Sequence, residues 1–155
     1  RAGLAFSTSD EDWRDVLDTN LTGAFFVARQ FLPELLANGW GRLIFVSSIA
    51  AHGMAGDAAY CASKAGLLGL SAALAKEYGR KGITSNALLL SLFETEMSGA
   101  ELAPQKRKFY EEHCPVGRVG QVGDVASAVL YLASQGASFV NGQEIGVTGG
   151  LDWFH

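Results

Sequence analysis

A tyrosine and a lysine four residues apart are the first pair in this sequence that could do chemistry. The segment SSIAAHGMAGDAAYCASK places Tyr60 and Lys64 at i and i+4, and such residues lie on one face of a helix. A phenol is a weak acid with a pKa of about 10, and an ammonium group one helical turn away favours its phenolate form. The pair could therefore act as a general acid or base on a substrate oxygen.

Two serines precede that pair and end a run of apolar residues. The run GRLIFVSS is bounded by Gly41 and by Ser47 and Ser48, which is typical of a strand buried on both faces. Ligands bind at the carboxyl ends of parallel strands. We therefore expect Ser48 at a ligand-binding edge, with Tyr60 facing it across the loop, where the serine hydroxyl can hydrogen-bond the same substrate oxygen.

A further polar side chain lies on an apolar helical face. Ser9 is an N-cap candidate followed by three acidic residues, and it predicts a helix to about Asn38 that Pro33 should kink. Asn20 lies on the face of this helix, and its amide needs a partner, which an ordered water leading toward Lys64 would provide. The apolar residues of that face are Trp13, Leu17, Leu21, Ala24, Ala28, Phe31 and Leu35.

The rest of the chain alternates between predicted helices and strands. A second long helix should begin near Asp57 and end by Gly79 or Gly82. It is followed by a strand over residues 85–93, a helical stretch over residues 99–112, a helix over residues 122–134 and a last strand at QEIGVT. This alternation predicts one α/β domain over residues 1–155, with a doubly wound parallel sheet in three layers. Three strands are too few to complete such a sheet, so we expect an amino-terminal part of the fold to be absent from this sequence. One face of the second helix should allow very close packing, since it carries the small residues Ala62, Gly66, Gly69 and Ala73.

Composition argues against several classes of function. The chain has 155 residues, of which 48% are hydrophobic and 18% charged, as in a packed globular domain. The net charge is −4 without a basic cluster, which argues against a nucleic-acid partner and a polybasic membrane surface. We expect a cytoplasmic protein, since the sequence has no secretory signal and no apolar run of about 18 residues. Cys61 and Cys114 suit buried apolar positions, and the scattered histidines indicate no metal site.

Five segments in order resemble the short-chain dehydrogenase/reductase family, in particular its members that are similar to 3-oxoacyl-carrier-protein reductase and sugar-alcohol dehydrogenases. A bare Tyr-x-x-x-Lys pair is weak evidence because it occurs by chance in many helices, whereas the ordered set is specific. The resemblance covers the whole chain. Its segments are DTNLTGAFF around Asn20, GRLIFVSS, AAYCASKAG, FETEM with Thr95, and GQEIGVTGG.

The resemblance implies a Rossmann-type fold and an NAD(P)-dependent oxidoreductase that interconverts an alcohol and a ketone. Tyr60 would be the general acid/base, and Ser48 would hold the substrate oxygen. Lys64 would bind the nicotinamide ribose and favour the phenolate, Asn20 would anchor a proton-relay water, and Thr95 would contact the nicotinamide carboxamide. The family also implies a homo-oligomer in which the two long helices pair across a two-fold axis.

Three departures from the family pattern leave alternatives open. Ser48 lies 12 residues before Tyr60 and Ser47 lies 13 before it, so that Ser47 competes for the substrate-binding role, although Ser48 is the second serine as in the motif. Leu90-Ser91 stands where the family usually has Pro-Gly. The family's turn Thr-Gly-x-x-x-Gly-x-Gly, which seats a pyrophosphate on a helix end, does not occur.

The missing glycine-rich turn and the Leu90-Ser91 pair favour an alternative function, a noncatalytic remnant that associates with a homologous subunit, whereas the intact Ser48, Tyr60, Lys64 and Asn20 favour a catalytic parent. The departures also predict weak cofactor binding by this chain alone. NAD and NADP cannot be separated, because the residue that selects between them lies in the part of the fold that we expect to be absent.

Overall fold

A parallel sheet flanked by helices forms the framework of the chain. The computed structural model describes residues 3–94 and 104–151. Within these residues the helices and strands are α1 (Asp10–Leu17), α2 (Gly23–Asn38), β1 (Gly41–Ser48), α3 (Ala58–Tyr78), β2 (Ile83–Leu90), β3 (Phe93–Glu94), α4 (Pro104–His113), β4 (Gly120–Gln121), α5 (Val122–Ala133) and β5 (Glu144–Val147).

The main sheet has the strand order β1-β2-β5, and both pairs of neighbours are parallel. Ser48 at the end of β1 lies opposite Leu90, and Leu90 lies opposite Val147 at the end of β5. The carboxyl ends of the three strands therefore meet at one edge. The predicted strand over residues 85–93 is wrong at its end, because the chain leaves the sheet after Leu90 and Phe93 pairs instead with Gly120 in a second, two-stranded sheet.

Helices cover both faces of the main sheet, which confirms the three predicted layers. Side chains of alternate strand residues point to opposite faces. Ile83 and Ala87 pack with Leu67 and Leu74 of α3, whereas Leu88 on the other face packs with α5. Each face thus has its own apolar cluster. The first contains Ala28, Leu32, Phe45, Leu67, Leu74, Ile83 and Ala87, and the second contains Leu88, Leu132 and Ala137.

The first long helix differs from its prediction in the middle. Ser9 caps α1 as expected, since its Oγ accepts a hydrogen bond from Asp12 N at 3.0 Å. Between α1 and α2 the chain forms a π-helical turn over Asp18–Thr22, however. Beyond this turn the buried residues of α2 are Ala28 and Leu32, and Phe31 is 56% exposed. Phe31 lies about 100° around the helix from Leu32, so it falls outside the buried stripe to which the sequence assigned it.

The predicted close packing on α3 occurs at Gly66. A Cβ atom at this position would lie 2.5 Å from a methyl carbon of Leu21 in the π-helical turn, while one at Gly69 would meet nothing within 4 Å. The small residue at Gly66 therefore allows the π-helical turn to lie directly against α3.

Helix α3 with the turn that follows it is long and apolar enough to cross a membrane by length and composition alone. A helix that packs on a sheet passes the same test. Here Leu67 and Leu74 belong to the apolar cluster on the sheet, and this packing accounts for part of the apolar composition of the helix.

Two glycines at the start of the sheet provide a test of the backbone geometry. Gly39 and Gly82 both have positive φ, 62° and 79°. An added Cβ at Gly39 would meet nothing, whereas at Gly82 it would overlap the carbonyl oxygen of Gly39. We expect Gly39→Ala to cost about 1–2 kcal/mol of unfolding free energy through backbone strain, and Gly82→Ala to cost clearly more. Urea unfolding of both variants measures the difference, and equal losses would contradict the close approach.

Candidate functional site

Lys64 joins helix α3 to the end of strand β1 through two hydrogen bonds. Its Nζ donates to the carbonyl oxygen of Val46 at 2.9 Å, and its own carbonyl oxygen accepts a bond from Ser47 Oγ, also at 2.9 Å. One bond uses the side chain of Lys64 and the other its backbone. Together they fix the second turn of α3 against the carboxyl end of β1.

Tyr60 occupies the first turn of α3 beside this junction. It is half-buried, and Lys64 Nζ lies 5.6 Å from the centroid of its ring. Among the described residues its hydroxyl makes no hydrogen bond, and Tyr60 lines a cavity of about 280 Å³ together with Asn20 and Asp57. The structure therefore brings Tyr60 and Lys64 together as the sequence predicts.

The ammonium group of Lys64 is partly withdrawn from water. Burial lowers the pKa of Lys64 below its ordinary value of 10.5, because the charged form loses hydration. The carbonyl of Val46 supplies one hydrogen bond in return. An ammonium has three donors, so two remain for other acceptors.

The two serines at the end of β1 have different environments. Ser47 is 2% exposed, and its hydroxyl bonds to Lys64 O beneath α3. Ser48 is half-buried, and its Oγ accepts from Ala50 N at 3.1 Å, which caps the short 3-10 turn Ile49–His52. The hydroxyl of Ser47 is thus committed to the packing of α3, whereas Ser48 is the more accessible of the two.

Asn20 lies in the π-helical turn, and its partner differs from the expected one. Its Nδ2 donates to Ser63 Oγ on α3 at 3.2 Å. The predicted contact was a water leading toward Lys64. Asn20 nevertheless lines a groove of about 380 Å³ that also contains Val46 and Lys64. The structure therefore places Asn20 beside Lys64 but holds its amide through Ser63.

The cofactor residues expected after β2 are described only in part. Thr95 lies outside the described residues. Leu90 ends β2, and Ser91 Oγ donates to the carbonyl oxygen of Thr148 at 3.3 Å. Ser91, directly after β2, is thus hydrogen-bonded to the loop that follows β5.

Sequence reasoning missed an ion pair beside the loop that follows β5. The guanidinium of Arg118 contacts both carboxylate oxygens of Asp124, at 2.7 and 3.0 Å. These bonds and one from Gln121 N hold the pKa of Asp124 well below its usual range, at about 2. Both residues line a cavity of about 320 Å³ with Thr148. Gln121 and Asp124, three residues apart before an apolar run, form a capping box at the start of α5. Their spacing could have indicated this helix start, but it carries no signal for the ion pair with Arg118.

Metal binding finds no support in residues 3–94 and 104–151. No group of three or more His, Cys, Asp or Glu side chains comes together there.

Comparison with known proteins places these residues in a large family. A family model described as enoyl-(acyl carrier protein) reductase matches residues 2–152. The 3-oxoacyl-[acyl-carrier-protein] reductase of Rickettsia felis is 40% identical over 149 residues, which are 96% of this chain and 61% of that protein. Its counterpart in Escherichia coli is 35% identical over 152 residues, 97% of this chain and 62% of that protein.

A solved structure shows the same fold. The gluconate 5-dehydrogenase of Burkholderia cenocepacia, in complex with NADP and tartrate, superposes with a TM-score of 0.92 at 31% identity, over 97% of this chain and 60% of its own. The chain thus spans about three fifths of the length of the proteins that it resembles.

The buried charge of Lys64 predicts a pH dependence of stability. Between the lowered pKa of Lys64 in the folded state and 10.5, the unfolded state binds more protons, so the contribution of this lysine to stability rises with pH. We expect Lys64→Met to abolish this rise. Urea unfolding of parent and variant at neutral pH and near pH 10.5 measures it. Lys76→Met, at an exposed lysine on the same helix, is the control, and identical pH dependence in both variants would contradict the assignment.

Proposed function

The chain belongs to the short-chain dehydrogenase/reductase family, and we propose that the protein carrying it interconverts an alcohol and a ketone with NAD or NADP as cofactor. The observation that carries the proposal is the position of Lys64. It lies one helical turn from Tyr60 and is bonded to the end of the strand that carries Ser48. The arrangement supports the proposal because Tyr60, Lys64 and Ser48 would supply an acid/base group, a cation and a hydroxyl at the edge where ligands bind to parallel sheets.

Tyr60 supplies the proton in the reducing direction. Its phenol donates to the substrate oxygen as the carbonyl becomes an alcohol, and in the reverse direction the phenolate accepts that proton. Ser48 hydrogen-bonds the same oxygen and orients it. The nearby ammonium of Lys64 stabilises the phenolate while the proton is away.

The residues present fit the ribose end of a nicotinamide cofactor. Two donors of Lys64 remain after its bond to Val46 O, and they suit the two hydroxyls of a ribose. When bound, the nicotinamide supplies or accepts the hydride. Thr95 would contact the carboxamide, and Asn20 would hold a water through which the proton is replenished. No glycine-rich pyrophosphate turn lies within this sequence.

A noncatalytic partner of a homologous subunit is the second candidate. The Leu90-Ser91 pair, which stands where the family usually has Pro-Gly, favours it. Calorimetric titration of the complete gene product with NADH and NADPH distinguishes the two functions. Binding of either cofactor supports the catalytic function, whereas the noncatalytic function needs no cofactor site and predicts no binding.

We also propose that the protein forms a homo-oligomer in the cytoplasm. Helix α2 exposes a row of large apolar side chains, and Val27 and Phe31 are 59% and 56% exposed. Such a surface is typical of a protein contact. Both Cys61 and Cys114 are free, as is usual in a reducing compartment.

Tyr60→Phe tests the catalytic proposal. The variant keeps the ring and removes one hydroxyl, so we expect turnover to fall by roughly 10²–10⁴-fold while cofactor binding is unchanged. Steady-state kinetics of the complete gene product with a ketone and NAD(P)H, across the titration range of a phenol, provide the measurement. Wild-type turnover in this variant would mean that another group donates the proton.

Paired serine variants serve as the matched control. Ser48→Ala should lower turnover, because it removes the hydroxyl that orients the substrate oxygen. Ser47→Ala should instead lower stability by about 1 kcal/mol through loss of its bond to Lys64 O, with turnover largely retained. The opposite pattern would assign the substrate to Ser47.

Phe31→Glu tests the oligomer. Light scattering at micromolar concentration should show an assembly in the parent chain and a smaller species in the variant, since a charge would be buried in the contact. Gln30→Glu places the same charge at the neighbouring exposed position and should leave the assembly intact. A parent that is already monomeric would refute the proposed contact.

A further inference from the structure

Ser63 is a buried serine that contacts both Asn20 and Tyr60, and the proposed reaction gives it no role. It lies on α3 with 0% exposure. Its Oγ donates to the carbonyl oxygen of Tyr60 at 2.7 Å, and Asn20 Nδ2 lies 3.2 Å from the same Oγ. Ser63 therefore connects two residues of the candidate site.

The hydroxyl of Ser63 has only one proton to give. A backbone carbonyl can only accept, so the short contact with Tyr60 O consumes that proton. Toward Asn20 the serine oxygen can then only accept. If the amide of Asn20 were turned around, its oxygen would face the fully buried oxygen of Ser63 and two acceptors would meet without a proton between them, which is costly.

This proton count decides which atom of Asn20 points away from α3. The NH2 group must face Ser63, and Oδ1 must lie on the opposite side of the amide. Asn20 lines the groove that contains Lys64 and Val46, and it also lines the cavity of Tyr60. Among the described residues, the only side-chain hydrogen bond of Asn20 is the one to Ser63.

We propose that Ser63 is a positioning residue that fixes the amide orientation of Asn20 and thereby leaves Oδ1 as the acceptor atom that Asn20 presents away from Ser63. The packing of Leu21 against Gly66 holds the π-helical turn close enough for this bond. The use of Oδ1 in proton transfer rests on the proposed function. The orientation of the amide does not.

Nuclear magnetic resonance of the side-chain amide of Asn20 tests the orientation directly. In the parent chain, we expect its protons to exchange with solvent about tenfold more slowly than those of the exposed Asn38. They should also show a cross-relaxation signal to the β protons of Ser63. Exchange as fast as in Asn38, or a missing signal, would overturn the proposal without any variant.

Substitutions at Ser63 then separate the hydroxyl from the packing. Ser63→Ala should abolish the protection of the Asn20 amide. If it does not fold, Ser63→Thr and Ser63→Val are nearly equal in volume and differ in the hydroxyl, and only the threonine should keep the protection. Ser71→Ala is the matched control, because Ser71 is a buried serine of the same helix that bonds instead to Ser85 at 3.0 Å. Protection that persists in Ser63→Ala would contradict the proposal.

Turnover in the complete gene product completes the test. Ser63→Ala should lower kcat with little change in the KM for the cofactor, while Ser71→Ala should leave kcat unchanged. If Ser63→Ala loses the protection of the Asn20 amide but keeps a normal kcat, Oδ1 takes no part in proton transfer. Failure of the proposed function would instead appear as normal turnover in Tyr60→Phe.

Discussion

The bond from Lys64 to the end of β1 is the constraint on which the rest of the site depends. Its side chain reaches the carbonyl of Val46, and its backbone accepts from Ser47. Because both partners precede Ser48 in the same strand, the position of the helix relative to that serine is set by two short contacts. The 3-10 turn and the glycine-containing loop that follow then only have to connect two fixed points.

The same bond accounts for the electrostatics of the site. A lysine held against a strand end loses water, and its pKa falls for that reason. Burial therefore works against the charge of Lys64, and the hydrogen bond to Val46 O replaces part of the lost hydration. A side chain with no role beyond packing would gain more from being apolar.

Sequence reasoning succeeded where one local rule decides the structure. Ser9 and its acidic neighbours mark a helix start, and the apolar run before Ser48 marks a strand, so both were predicted, although Val46 in that strand is 47% exposed rather than buried. It failed where a contact between distant segments decides. The sequence alone could not place Phe93 beside Gly120, and helical periodicity assumed no extra residue in the turn around Asn20. Of the candidate site, the pairing of Tyr60 and Lys64 was predictable from their spacing, whereas the bond between Asn20 and Ser63 was not.

The π-helical turn, which helical periodicity did not predict, also holds Asn20 in the candidate site. A wider turn weakens the helical hydrogen bonds and persists only where other contacts compensate. Here the compensation comes from α3, where Leu21 packs against Gly66 and Ser63 Oγ accepts a hydrogen bond from the amide of Asn20. A regular helix would turn Asn20 by a different angle and could not keep both contacts. The irregular turn is thus stabilised by the same helix that carries Tyr60 and Lys64. The relative positions of Asn20, Tyr60 and Lys64 therefore depend on how α3 packs against its neighbours.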